Sequence, residues 1–291
     1  MNARLNLFGA VSAAILAPAT ASALPSDCDE ACLLQMADTF LGAVAAHDAS
    51  LIEWNAYARW TLNGVELPFS EAVWALENEV SDAHRIVIPD VEAGEVGIIT
   101  SWTFDGTPSL MAARLKVEWA RLSEAEMIVV TQPAPPPTPP GTPPQPAPPG
   151  PQFAELGAPN PLFGETADQP ESREALIAVA DAYFDGVAAD SPASVADDCA
   201  RMENANPSDT CGDAGIFAPA TEVAPRRYIA DPSRGVVFAV ARYNDDGVAS
   251  ERAPGSVLTG QMVKIVDGEV VAVEAVGERV FYYLPIGWGE K

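Results

Sequence analysis

The chain carries the same series of landmarks twice, on either side of a proline tract, and this repetition limits its architecture more than any other feature. Ala37-Asp38-Thr39-Phe40-Leu41-Gly42-Ala43-Val44-Ala45-Ala46 returns as Ala180-Asp181-Ala182-Tyr183-Phe184-Asp185-Gly186-Val187-Ala188-Ala189. Arg59 with Asn63 is echoed by Arg201 with Asn204, the Pro89 to Gly94 stretch by Ala230 to Gly235, and Leu115-Lys116-Val117 by Val263-Lys264-Ile265. Order and spacing persist although single positions have drifted, so the chain reads as two copies of one module. A unit of roughly 100 residues is a duplicated domain; solenoid repeats run about 20 to 50 residues.

Residues 1–23 have the form of a secretory signal: Arg4 near the start, a small apolar stretch to Pro18, and Ala21-Ser22-Ala23 as a small-x-small cleavage pattern. The apolar run is too short and too rich in alanine to span a bilayer. A secreted or periplasmic product with no membrane association in its mature form is therefore expected. Acidic residues number 41 against 16 basic, a net charge of −25. With no basic stripe to meet a phosphate backbone, nucleic acid is excluded as a partner.

Four cysteines in an exported chain imply disulfides, and three pairings are open. Local pairing is expected, with Cys28–Cys32 at the entrance of the first helix and Cys199–Cys211 closing a polar loop. A zinc site lacks support, because the chain has only His47 and His84 and neither adjoins the cysteines; no metal and no cofactor is expected. Pro133 to Pro151 favours an extended polyproline conformation and reads as a semi-rigid spacer. Its tail, Gln152 to Pro170, carries Phe153, Leu156, Leu162 and Phe163, which suit docking on a module surface. The resulting division is module 1 at 27–131, linker at 132–170 and module 2 at 171–291.

Each module opens with an amphipathic helix: Leu33, Ala37, Phe40, Leu41 and Val44 in one copy, Leu176, Ala180, Tyr183, Phe184 and Val187 in the other, recur at three- and four-residue steps. Strand patterns follow at Arg85 to Ile88, Glu95 to Phe104, Leu110 to Glu118 and Glu126 to Val130. The second copy gives Arg227 to Ala230, Val236 to Tyr243, Val257 to Val266 and Glu269 to Val276. Helix first and antiparallel strands afterwards is an α+β plan, with the sheet curled around the helix.

Cys28-Asp29-Glu30-Ala31-Cys32-Leu33, Ala45-Ala46-His47-Asp48, Arg59-Trp60-Thr61-Leu62-Asn63-Gly64, Val91 to Gly97 and Arg114-Leu115-Lys116-Val117, with Arg201-Met202-Glu203-Asn204 in the second copy, resemble the NTF2-like (SnoaL-like) superfamily. The likeness is to its secreted, uncharacterised branch. It implies two cone-shaped modules, each with N-terminal helices packed in a curved antiparallel sheet around an internal pocket. It does not imply a reaction, since that fold serves enzymes and binding modules alike. The first copy has Leu62 where the family pattern has Glu, and Ala205 replaces the pattern's Gly in the second.

No Gly-x-Ser-x-Gly, HExxH, GxxxxGK[ST] or GxGxxG motif is present. What remains is carboxylate acid/base chemistry in an apolar cone, for which Glu203 is the candidate and Arg201 its positioning partner. The competing reading of Glu203 is a structural ion pair with Arg201 or Arg242. Candidate ligand contacts are Trp54, Tyr57, Arg59, Trp74, Trp102 and Arg114 in the first module, and Asn204, Arg242 and Tyr243 in the second. An Arg114 turned inward requires a carboxylate or an anionic ligand; turned outward it is solvated. His84 is expected in a wet turn, and Asp90 and Asp231 are expected to bond neighbouring backbone N–H groups. Two functions fit: a binding protein for a small, partly apolar metabolite, or a metal-independent lyase, isomerase or hydrolase in module 2. Packing of module on module, or of two copies of the chain, fits both.

Overall fold

The computed structural model describes residues 28–68, 72–132, 153–189, 191, 194–208, 210–212, 215–217, 219–248, 251 and 253–285. The signal-like segment and the proline tract lie outside them. Helix α1, Glu30–Ala45, begins where the Asp29 carboxylate accepts the Cys32 N–H at 2.9 Å, and α2, Arg173–Ala188, begins at Ser172, whose hydroxyl accepts the Ala175 N–H at 3.2 Å. These caps satisfy N–H groups that the first helical turn leaves unpaired. The apolar stripes read from the sequence are buried in both helices.

Module 1 adds β1 (Trp54–Leu62), β2 (Val65–Glu66), β3 (Glu79–Asp90), β4 (Glu95–Phe104), β5 (Thr107–Glu118) and β6 (Arg121–Thr131). Module 2 adds β7 (Val195–Glu203), β8 (Asn206–Ser208), β9 (Glu222–Asp231), β10 (Val236–Asp245), β11 (Gly255–Val266) and β12 (Glu269–Val280). The sheet orders are β2-β1-β6-β5-β4-β3 and β8-β7-β12-β11-β10-β9, the same permutation twice. The chain is thus a tandem repeat of one α+β fold. β1 pairs parallel to β6 and β7 parallel to β12, so each sheet is mixed rather than wholly antiparallel. These two strands escaped the sequence reading because a register shift interrupts each and breaks the two-residue alternation.

Each sheet buries one face against its own helix and the other against the second module. The shared layer contains Ile86, Ile88, Ile99, Ala112 and Ile128 from module 1 and Ile229, Phe238, Val240, Leu258 and Met262 from module 2. Phe153 and Phe163 of the linker tail join the same layer, with Leu156 and Leu162 packed beside them. Positions equivalent in the repeat meet each other: a Cβ on Gly97 would lie 2.6 Å from the side chain of Phe238, its counterpart, and one on Gly260 would collide with Ala112, its counterpart. The two modules therefore face one another as the subunits of a two-fold dimer do.

Both disulfides are local, Cys28–Cys32 and Cys199–Cys211, with Cα separations of 5.2 and 5.8 Å. The Phe153 N–H donates to Gln132 Oε1 at 3.1 Å, so the residues bounding the proline tract touch. The modules are in direct contact. Among the described residues no helix is long and apolar enough to cross a membrane.

Candidate functional site

In module 2, strand alternation puts Cys199, Arg201 and Glu203 on the face of β7 that meets α2. Arg201 Nη2 donates to Glu203 Oε1, and both side chains are almost wholly shielded from solvent. Gly215, at φ +53, lies so close to the carboxylate that a Cβ there would collide with it. Burial pulls the Arg201 guanidinium down, but Tyr183, Glu203 and Tyr243 outweigh that and hold it above its ordinary value. Burial also pushes the Tyr243 phenol well up; its oxygen accepts from Gln261 Nε2 at 2.8 Å, and that same nitrogen donates to Thr259 at 3.1 Å. Of the two readings of Glu203, the geometry matches the ion pair with Arg201. Arg242 is elsewhere, on the opposite face of β10, donating to Asn244 at 3.0 Å and to the Leu284 carbonyl at 2.7 Å, with its guanidinium over the Tyr283 ring.

Asn204 belongs to a turn, not to the interior. Its side-chain amide brackets the backbone of Gly277, donating to the carbonyl and accepting the N–H, each at 2.9 Å. Asn63 does the same with Val129 in module 1, at 3.1 and 2.8 Å. Both asparagines have positive φ, +45 and +49, which their short polar side chains tolerate. The asparagines thus mark a backbone clamp at the same place in each copy, whereas the arginines do not correspond: Arg201 stands opposite Val273 as Trp60 stands opposite Ala125.

The interior of module 1 is aromatic. Trp74 sits at the centre, its ring 6.4 Å from Phe40, 6.2 Å from Trp54 and 6.4 Å from Trp60, and Trp102 packs 5.1 Å from Phe104. Trp54 donates its indole N–H to the Ala49 carbonyl at 2.9 Å. The buried indole N–H groups of Trp60, Trp74 and Trp102 find no acceptor among the described residues. Trp60 was not singled out from the sequence; its signal was an aromatic residue inside a repeated motif. Tyr57 and Arg59 are exposed, Tyr57 donating to Glu118 at 3.0 Å and Arg59 paired with Glu66.

Arg114 lies on the face of β5 turned away from α1, yet it is buried. It contacts Glu126 at 3.1 Å, Glu95 at 2.9 Å and Glu124, and Arg227 reaches Glu126 from module 2 at 3.1 Å. Burial would lower the Arg114 guanidinium; the three carboxylates outweigh it and keep it firmly charged. Burial pushes Glu95 and Glu126 up, against the pull of Arg114. The candidate ligand contact is thus committed to carboxylates of its own chain.

His84 also departs from expectation. It is 1% exposed, its Nε2 against Glu274 of module 2 and its Nδ1 2.8 Å from the Gly157 carbonyl. Burial pulls the imidazole down, whereas Glu274 and the carbonyl raise it, for a net rise above 6.5. A raised histidine stabilises fully below its unfolded pKa, and that contribution is lost as pH climbs through the folded value. His84→Gln is therefore expected to be less stable than the parent at pH 6, the gap in urea midpoint shrinking by pH 9. A gap that stays constant between these values would contradict a charged histidine at the junction. Asp90 and Asp231 hold their own turns as expected, accepting from Ala93 at 3.0 Å and Ser233 at 2.9 Å; Asp90 in addition accepts the Ala230 N–H at 3.0 Å across the modules.

A cleft of about 470 Å³ lies between the linker tail and the β11–β12 turn, lined by residues such as Glu165, Glu171, Lys264 and Asp267, outside both interiors. No group of three or more metal-ligating side chains occurs among the described residues. A family model described as a domain of unknown function (DUF8021) matches residues 169–277, which span α2 and most of the second sheet. No curated protein matches the chain.

Proposed function

We propose that the protein is an exported, noncatalytic binding protein of the NTF2-like kind, which holds a small, partly apolar ligand inside module 1. The observation that carries this reading is the set of three buried indole N–H donors, on Trp60, Trp74 and Trp102, that find no acceptor among the described residues. A buried donor left unpaired costs about 1–3 kcal/mol, so an apolar molecule bearing one or two acceptor oxygens gains affinity by supplying what the described residues do not. Module 2 is read as supporting, because its one candidate carboxylate, Glu203, is held by Arg201. Two disulfides and the signal-like start accord with export.

The probe is 1-anilinonaphthalene-8-sulfonate, an apolar aromatic with acceptor oxygens, followed by the indole N–H resonances of 15N-tryptophan-labelled protein. Saturable shifts of the Trp60, Trp74 and Trp102 signals are expected, with at least tenfold weaker binding in Trp74→Phe and unchanged binding in Glu203→Gln. Shifts confined to other tryptophans, or equal affinity in Trp74→Phe, would remove the site from module 1. The second reading, proton transfer by Glu203, draws on its burial beside a disulfide-tethered loop. It gains support only if Glu203→Gln slows turnover of a substrate about 100-fold or more with binding retained.

A further inference from the structure

The turn joining β5 to β6 departs from the chemistry its backbone favours. Its two tip residues, Trp119 and Ala120, have φ of +53 and +57. Such a two-residue hairpin turn selects Asn-Gly or Asp-Gly, because a Cβ crowds the backbone carbonyl when φ is positive, a cost glycine avoids and the short polar side chains of Asn and Asp offset by local hydrogen bonds. The equivalent turn of module 2 follows that rule with Asp267-Gly268, at +50 and +77. Tryptophan at a left-handed position is strained, and burial does not offset the strain, since Trp119 is 67% exposed.

A second departure lies beside it. Tyr57 lies two residues before the exposed Arg59 on β1 and is itself 53% exposed. Its ring stands perpendicular to Trp119, at 88° with centroids 6.2 Å apart, and its hydroxyl donates to Glu118 Oε2 at 3.0 Å. Two aromatic walls and a fixed carboxylate thus share one corner. Counting back from the equivalent clamps Asn63 and Asn204, the place of Tyr57 falls in module 2 on Asp198, and that of Trp119 falls on Asp267, so that module lacks both walls. Module 1 thus carries aromatic rings at two places where module 2 carries aspartates.

Charge selects the occupant. The chain carries a net −25, Glu118 is at the corner, and the Lys116 ammonium stands 3.9 Å from it, beyond hydrogen-bond reach. Aromatic faces attract large, weakly hydrated cations, and perpendicular rings beside a carboxylate are the usual means of holding quaternary ammonium groups. We infer that Tyr57, Trp119 and Glu118 form a surface site for an organic cation bearing a quaternary ammonium group, separate from the interior of module 1.

The test is a titration of the full chain with choline chloride at constant ionic strength, followed by the indole N–H resonance of Trp119, against the neutral isostere 3,3-dimethyl-1-butanol. Saturation by choline with millimolar affinity is expected, with binding by the isostere at least tenfold weaker and Glu118→Gln weakening choline about fivefold. Trp119→Asn supplies the residue this turn prefers, so it is expected to raise the urea midpoint while abolishing the choline response, which for this variant is read as the heat of titration in calorimetry and compared with the parent's. Equal binding of choline and its isostere, no saturation by choline, or a choline response retained in Trp119→Asn would overturn the proposal. A lowered midpoint in Trp119→Asn would also overturn it, by showing that the tryptophan serves the fold.

Discussion

Arg114→Met is expected to lower the stability of the chain by about 3–5 kcal/mol, the cost of leaving buried charge without its partner. Methionine fills much of the same space, so the loss reports charge more than cavity. In the parent, Arg114 answers Glu95, Glu124 and Glu126 together, and the Glu126 side chain has no solvent contact. Without the guanidinium, Glu126 keeps only Arg227, at 3.1 Å from across the module boundary. Its pKa, already pushed up by burial, would rise further. The deficit in the variant should therefore shrink as pH falls toward 4 and the carboxylates protonate. Adding Glu126→Gln should recover part of the loss at neutral pH. Urea denaturation of the single and double variants measures both effects, and an Arg114→Met loss below about 1 kcal/mol would mean that the cluster is hydrated.

Phe238→Ala is expected to cost about as much, about 3–5 kcal/mol, by a different route. Phe238 is fully buried, on the face of β10 that meets module 1. Its ring fills the space left by two glycines: a Cβ on Gly97 would lie 2.6 Å from it, and one on Gly260 3.1 Å from its Cζ. Removing the ring empties a hole in the layer that both sheets share. Because that layer is what joins the modules, the variant should also uncouple them, so that one cooperative transition becomes two in calorimetry. Gly97→Val tests the same contact from the other side: it overpacks the site and is expected to cost about 1–3 kcal/mol. A Phe238→Ala variant that keeps the parent's midpoint and single transition would show that the sheets do not rely on this contact.

The residues legible before the structure were those whose partners are near in sequence. The helices announced themselves through three- and four-residue apolar spacing, and their caps Asp29 and Ser172 stand beside the first turns they serve. The disulfides close over separations of 4 and 12 residues. Asp90 and Asp231 bond N–H groups two or three positions away. The strands β1 and β7 were hidden because their pairing with β6 and β12 is parallel and interrupted, leaving no clean alternation to read.

Repetition, apolar periodicity and short cysteine spacing were enough to determine two like α+β modules, because each is a property of neighbouring residues. Nothing local could say that both faces of each sheet would be covered. A sheet buried on two sides reads as a continuous apolar run, which conceals which residues face which layer. Only the tertiary structure decided that Arg114 points at carboxylates rather than a ligand, and that His84 meets Glu274 across 190 positions instead of facing water. Likewise it decided that Glu126 meets Arg227 across 101 positions. The physical reason is that a buried charge is defined by its partner, and here the partners are delivered by the packing of one module on the other.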